Sequence, residues 1–249
     1  MSTTIYIVYL IYLLLCEPIL RTYTFRKFSR KSNEHTNARS PYYLSFIAWH
    51  WIPTVILLLF VASGSPEFTD IGLTLPVLDT GLLPIWITYI VLAVASLLLL
   101  LAIYQWLAPK TDPRYRKIIR QIQPARDLDM LPPETPKEKR LAICLSLSAA
   151  VCEELLYRGL LIFILTALSP AINVYECIAT AGVIYGIART YRGVSDIIKT
   201  TAYGILLSAL YMSVGSVLPG MLWHLMIQLG ATDCTRAIIN TGNTNNTDL

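Results

Sequence analysis

Two adjacent carboxylates and an arginine stand inside one apolar run. They are Glu153, Glu154 and Arg158, in Ala149-Ala150-Val151-Cys152-Glu153-Glu154-Leu155-Leu156-Tyr157-Arg158-Gly159. The run extends over residues 141–168, and about 20 apolar residues suffice to cross a bilayer. A charge at that depth costs on the order of 3 kcal/mol or more, so ionisable groups there mark functional sites. On a helix, Glu154 and Arg158 share a face, and Glu153 points roughly 100° away. The spacing therefore predicts that Arg158 neutralises Glu154 while Glu153 stays free, a division suited to a general base. The other reading is an ion pair that only locks two helices together, but packing does not require a second buried acid.

Two further polar pairs lie in apolar stretches at i, i+4 spacing. His224 and Gln228 fall in Leu218-Pro219-Gly220-Met221-Leu222-Trp223-His224-Leu225-Met226-Ile227-Gln228. Their heads point the same way and want a polar partner inside the bundle, such as Glu153 and Glu154; an interhelical hydrogen bond is the alternative. Tyr185 and Arg189 form the second pair. Arg189 reads either as a site residue or as a helix-end charge beside Arg192. From a helix start near residue 172 it lies roughly 25 Å in, against about 12 Å for His224. Either the helix ends lie elsewhere or Arg189 is outside the site. Of the remaining histidines, His35 sits in a basic loop. His50, between Trp49 and Trp51, reads as an interfacial anchor of the aromatic belt.

The elements that position these residues follow from composition. The chain has 249 residues, 55% hydrophobic and only 14% charged, where a soluble domain carries about 25% charged. This is the composition of a polytopic membrane protein. Its five cysteines show neither CxxC nor Cys/His ligand spacing, and they read as small buried hydrophobes. Apolar segments are predicted at 4–20, 42–63 (interrupted by Pro53), 82–108, 141–168, 172–189, about 197–213 and about 216–233. Breaks fall at Ser169-Pro170, Tyr191-Arg192-Gly193 and Ser213-Val214-Gly215. The prediction is an all-α bundle of about seven transmembrane helices.

Fifteen of the 20 Lys and Arg lie in two loops, from Arg21 to Arg39 and from Pro109 to Arg140. The positive-inside rule places both in the cytoplasm, with the acidic loop Gly64–Gly81 and the N-terminus outside and the C-terminus inside. Ordinary topology explains these charges better than nucleic-acid binding does. A short surface helix is expected at Tyr115–Ile122, and the Asn/Thr-rich tail Thr241–Leu249 reads as disordered.

EExxxR on one transmembrane helix, an aromatic-xxx-basic pair on the next and His-xxx-amide on a later one resemble the CPBP family. These are the type II CAAX prenyl endopeptidases and bacteriocin-processing (Abi) proteins. The resemblance covers about residues 141–233. With the charge pattern, this gives an expected division into three regions: an N-terminal membrane region 1–140 with two basic cytoplasmic loops, a CPBP-like catalytic core 141–233, and a polar tail 234–249. It implies hydrolysis by glutamate-activated water without a covalent intermediate, with Glu153 as base supported by Glu154 and Arg158. His224 and Gln228 would bind the oxyanion. Position 189, a histidine in the family, is Arg189 here, and the family's last-motif Asn or Asp is Gln228. Arginine stays protonated and cannot shuttle a proton; it can act as a fixed cation or pair with Glu153. No cofactor and no metal are implied, since one intramembrane histidine beside the carboxylates is thin for zinc. The expected partners are a membrane-anchored or prenylated peptide and the bilayer, with no nucleic acid; the expected location is a bacterial inner membrane. Two other readings stay open. One is a pseudoprotease acting as a peptide-binding, immunity or regulatory protein. The other is a small-solute or ion transporter, for which no broken-helix repeat speaks.

Overall fold

The computed structural model describes residues 3–32, 39–64, 66–78, 81–112, 114–115, 133 and 135–230. Within them the chain is all-helical, in seven rods that follow the predicted apolar segments. The first rod joins α1 (Thr3–Ile11) to α2 (Glu17–Ser32) through a π-helical turn, Tyr12–Cys16. Single rods follow: α3 (Arg39–Ala62) and α4 (Ile85–Thr111). The fourth rod joins α5 (Pro136–Glu154) to α6 (Leu161–Leu168) through a second π-helical turn, Leu155–Leu160. Then come α7 (Val174–Ile187), α8 (Val194–Val214) and α9 (218–230). Among the described residues, four helices are long and apolar enough to cross a membrane: Thr3–Phe28, Arg39–Ala62, Ile85–Ala108 and Val194–Val214. Large apolar residues such as Ile19, Leu59, Leu100 and Ile198 are exposed on them, as expected of surfaces that face lipid.

Local chemistry explains the ends. Thr135 caps α5 and Asn173 caps α7, each in a reciprocal box with a glutamate three residues on, Glu138 and Glu176, which satisfies helix N–H groups that have no partner within the helix. Gly215, in the left-handed region at φ 64°, ends α8. Pro53 lies inside α3 without ending it. The first segment runs further than predicted, to Ser32, so Arg21 sits within a helix and not in a loop.

Packing is closest where side chains are small. Gly182 and Gly204 face each other across α7 and α8: a Cβ on Gly204 would lie 2.8 Å from the Gly182 Cα. Such small-residue contacts are how membrane helices approach one another without a hydrophobic driving force. On α5, Ala142, Leu145, Ser146 and Ala149 are buried. They recur at the helical spacing that puts Glu153 on the same stripe, and Ala142 and Leu145 pack against Tyr42, Tyr43 and Phe46 of α3. The segment between α3 and α4 does not stay at the surface. Ile71 is fully buried, the Val217 N–H donates to the Gly72 carbonyl (3.0 Å), and the Val77 N–H donates to the Val214 carbonyl (2.9 Å). The expected surface helix at Tyr115–Ile122, except Tyr115, and the tail Thr241–Leu249 lie outside the described residues.

Candidate active site

The structure brings Glu153, Glu154, Arg158, Arg189, His224 and Gln228 into one buried cluster. Both glutamates and Arg158 are 1% exposed. The pairing of Glu154 with Arg158 is as the spacing predicts: Arg158 Nη1 donates to Glu154 Oε1 at 2.9 Å. Glu154 is the last residue of α5, and Arg158 lies in the π-helical turn, a feature frequent at functional sites. The Arg158 guanidinium also stands 4.3 Å from the centre of the Tyr185 ring, a cation–π contact that helps to hold a buried charge.

Glu153 is not the free carboxylate that the spacing suggested. Arg189 Nη2 donates to both of its oxygens, at 2.9 Å to Oε1 and 2.7 Å to Oε2. Arg21 Nη2 donates to Oε1 at 2.9 Å and the Tyr185 hydroxyl to Oε2 at 2.8 Å. Helical geometry in α5 was read correctly, but neighbouring rods supply partners that spacing within one helix does not reveal. Arg189 is thus a cluster residue and not only a helix-end charge. Despite the depth difference expected from the sequence, Arg189 stands in the turn beyond the end of α7 at Ile187 and its guanidinium reaches Glu153 from there.

His224 lies between the two carboxylates. Its Nδ1 is 3.2 Å from Glu154 Oε1, its Nε2 is 3.7 Å from Glu153 Oε2, and the Gln228 amide nitrogen is 3.2 Å from Nε2. With Nδ1 donating to Glu154, Nε2 accepts from Gln228. Gly220 makes the approach of α9 possible, because a Cβ there would lie 2.6 Å from Glu154 Oε2.

Three residues of the cluster were missed. Arg21, counted among loop charges, is 4% exposed, and Glu17 is 6% exposed. Arg21 Nε donates to Glu17 Oε1 at 2.9 Å, and the Tyr157 hydroxyl donates to Glu17 Oε2 at 2.6 Å. The signal was present: an acid in an apolar segment, four residues before an arginine. His50 is not an interfacial anchor. It is 5% exposed, with Nδ1 donating to the Phe46 carbonyl at 2.6 Å and Nε2 3.0 Å from Glu153 Oε1. Its indole neighbours hid it, although Trp51 itself turns inward and donates to Ser148 Oγ at 2.9 Å. Two histidines, not one, therefore accompany the carboxylates. Among the described residues no group of three His, Cys, Asp or Glu is arranged to hold a metal ion.

The cluster balances its charges. Three carboxylates, Glu17, Glu153 and Glu154, face three guanidiniums, Arg21, Arg158 and Arg189. Buried charges persist only when paired; here the pairing is incomplete in hydrogen bonds, since among the described residues Glu154 Oε2 and Arg158 Nε and Nη2 are buried without a hydrogen-bond partner. A cleft of about 320 Å³ lies beside the cluster, lined by Thr22, Phe25, Arg26, Thr190 and Tyr191; Thr22 and Thr190 directly follow Arg21 and Arg189. Tyr191 is also the contact of Arg189 Nη1, at 3.5 Å.

No curated protein and no solved structure matches the chain. Residues 137–230 match the sequence model of the family described as type II CAAX prenyl endopeptidase Rce1-like, consistent with the CPBP family to which the EExxxR motif pointed.

Proposed function

We propose that the chain is an intramembrane endopeptidase that hydrolyses a peptide bond of a membrane-associated, CAAX- or prenyl-like substrate. One observation carries the reading: Glu153 is within 3.0 Å of an imidazole, His50, and His224 bridges it to the second carboxylate, Glu154. A carboxylate and imidazoles at such distances can pass a proton and hold developing charge. The Rce1-like match over residues 137–230 supports a CAAX-type protease. The reading takes its orientation from the basic loops, with the N-terminus outside and the C-terminus in the cytoplasm. A cleavage assay tests the reading, with the purified protein in liposomes and a panel of membrane-anchored peptides. Wild type is expected to cleave at least one of them, and Glu153→Gln none.

A second reading is a pseudoprotease that binds the peptide without cutting it, as an immunity or regulatory protein. It is favoured by the two guanidiniums of Arg21 and Arg189 on the Glu153 carboxylate. Peptide binding without cleavage in the same assay selects it.

A further inference from the structure

The cleft beside the cluster forms where the end of the first rod meets the turn after α7. Phe25 of α2 lies against Tyr191 of that turn, with ring centres 5.3 Å apart, and Thr22, Arg26 and Thr190 complete the lining. Cations surround it. Arg21 and Arg189 each precede a lining threonine in sequence, and the Arg192 guanidinium is 5.8 Å from the centre of the Tyr191 ring. Their field shows at Tyr191. Burial raises its hydroxyl, but Arg192, Arg189 and Arg21 outweigh burial and hold it below the ordinary phenol value.

Most of these cations are matched. Arg21 pairs with Glu17 and Glu153, Arg189 with Glu153, and Arg192 with Asp196. Arg26 is exposed, and among the described residues no carboxylate pairs with it. The Tyr191 hydroxyl receives Arg189 Nη1 at 3.5 Å, which leaves its own hydrogen to donate. The Thr22 hydroxyl is spent on the Pro18 carbonyl at 2.7 Å. A ligand in the cleft therefore meets the Arg26 guanidinium and the hydroxyls of Tyr191 and Thr190. All three donate, which suits an anion with several acceptor oxygens.

Position in the fold narrows the anion. The apolar span of the first rod ends at Phe28. Arg26 lies about 3 Å short of that end, at the edge of the hydrocarbon where lipid headgroups begin. Ile19 and Tyr23 are 65% and 62% exposed. They precede Arg26 by seven and three positions, which puts all three on one face of the helix. A phosphate held at Arg26 thus has acyl chains that can lie along Ile19 and Tyr23. A soluble anion gains nothing from that apolar track. A zwitterionic headgroup would bring its own ammonium into the positive surroundings.

We propose that the cleft binds the phosphate of an anionic membrane phospholipid, with Arg26 as its charge partner, Tyr191 and Thr190 as neutral donors, and Ile19 and Tyr23 as the bed for its chains. The proposal is independent of the endopeptidase reading, because its readout is binding and not turnover.

The test measures the unfolding midpoint of the full chain in detergent with added short-chain phosphatidylglycerol, short-chain phosphatidylcholine or glycerol phosphate. Phosphatidylglycerol at about tenfold excess over its Kd is expected to raise the wild-type midpoint by about 3 °C. The other two are expected to leave it unchanged. Arg26→Gln is expected to raise the half-saturating lipid concentration about tenfold, and Thr190→Val about threefold. Lys27→Gln removes the same charge one position along and should change it by less than about twofold. Each variant is compared with its own lipid-free midpoint, so a loss of response is read separately from a loss of stability. If Lys27→Gln weakens the response as much as Arg26→Gln, the attraction belongs to the surface at large and the proposal falls. It also falls if Arg26→Gln and Thr190→Val both respond as wild type does, or if phosphatidylcholine or glycerol phosphate matches phosphatidylglycerol. If phosphatidylglycerol has no effect and a membrane-anchored peptide with a free terminal carboxylate raises the midpoint, the cleft takes a peptide end and the lipid proposal is overturned.

Discussion

Arg21 and Glu153 lie 132 positions apart and meet at 2.9 Å. The contact joins the first rod to the fourth, and the same guanidinium holds Glu17. Arg21→Gln leaves Glu17 with Tyr157 alone and removes one of three cations from a buried, balanced cluster. It is expected to cost about 3 kcal/mol of stability, read as a lowered unfolding midpoint in detergent. Lys27→Gln, at an exposed position of the same helix, is the control and should leave the midpoint unchanged. Equal midpoints for the two variants would make the Arg21 contact incidental.

The two acids should not be equivalent. Glu153→Gln strands two guanidiniums, Arg21 and Arg189; Glu154→Gln strands only Arg158, which keeps the Tyr185 ring. The expected losses are about 4 kcal/mol and about 2 kcal/mol. Denaturant titration in detergent ranks them. From helical spacing within α5 the reverse order is expected, since there only Glu154 has a partner, so the ranking tests the cluster as a whole.

Arg189→His replaces a permanent cation with a group that can carry a proton. It also frees a lone pair on each Glu153 oxygen. Turnover is expected to rise roughly tenfold with peptide affinity unchanged, and the unfolding midpoint to fall because a carboxylate loses its cation. Lower turnover would instead make Arg189 a working electrostatic element.

The buried segment between α3 and α4 depends on Gly159. A Cβ there would lie 2.6 Å from the Ile71 backbone oxygen, an atom that cannot move aside as a flexible side chain would. Gly159→Ala is expected to destabilise by about 1–3 kcal/mol and to speed proteolysis within residues 66–78. An unchanged digestion rate means that the segment stays docked without this contact.

Orientation is open to a direct measurement. Reporter fusions at Arg30 should read cytoplasm and at Asp70 the outside, given the basic loops. A cytoplasmic signal at Asp70 reverses the assignment.

The rods were legible because each is an apolar run bounded by Gly, Pro or polar residues, such as Ser169-Pro170 and Gly215. The pairing of Glu154 with Arg158 was legible because it is local to one helix. The partners of Glu153 were not, because Arg21 and His50 come from rods 132 and 103 positions away. Residue type misled as well. Arg21 opens a basic stretch that reads as topology signal, and His50 stands between two tryptophans that read as a surface belt. A charge or an imidazole in such a setting shows its role only when the opposite helix is in view.

The charge balance bears on how the protein is made. The apolar part of the first rod, residues 3–25, carries Glu17 and Arg21 as its own ion pair, so that part can leave the insertion machinery electrically neutral. The apolar part of the fourth rod, residues 141–168, carries Glu153, Glu154 and Arg158, one negative charge in excess, and Arg189 follows Glu153 by 36 positions. During synthesis, that rod is expected to remain at the translocon until α7 and the turn after it have emerged, so that lipid receives the two as a unit.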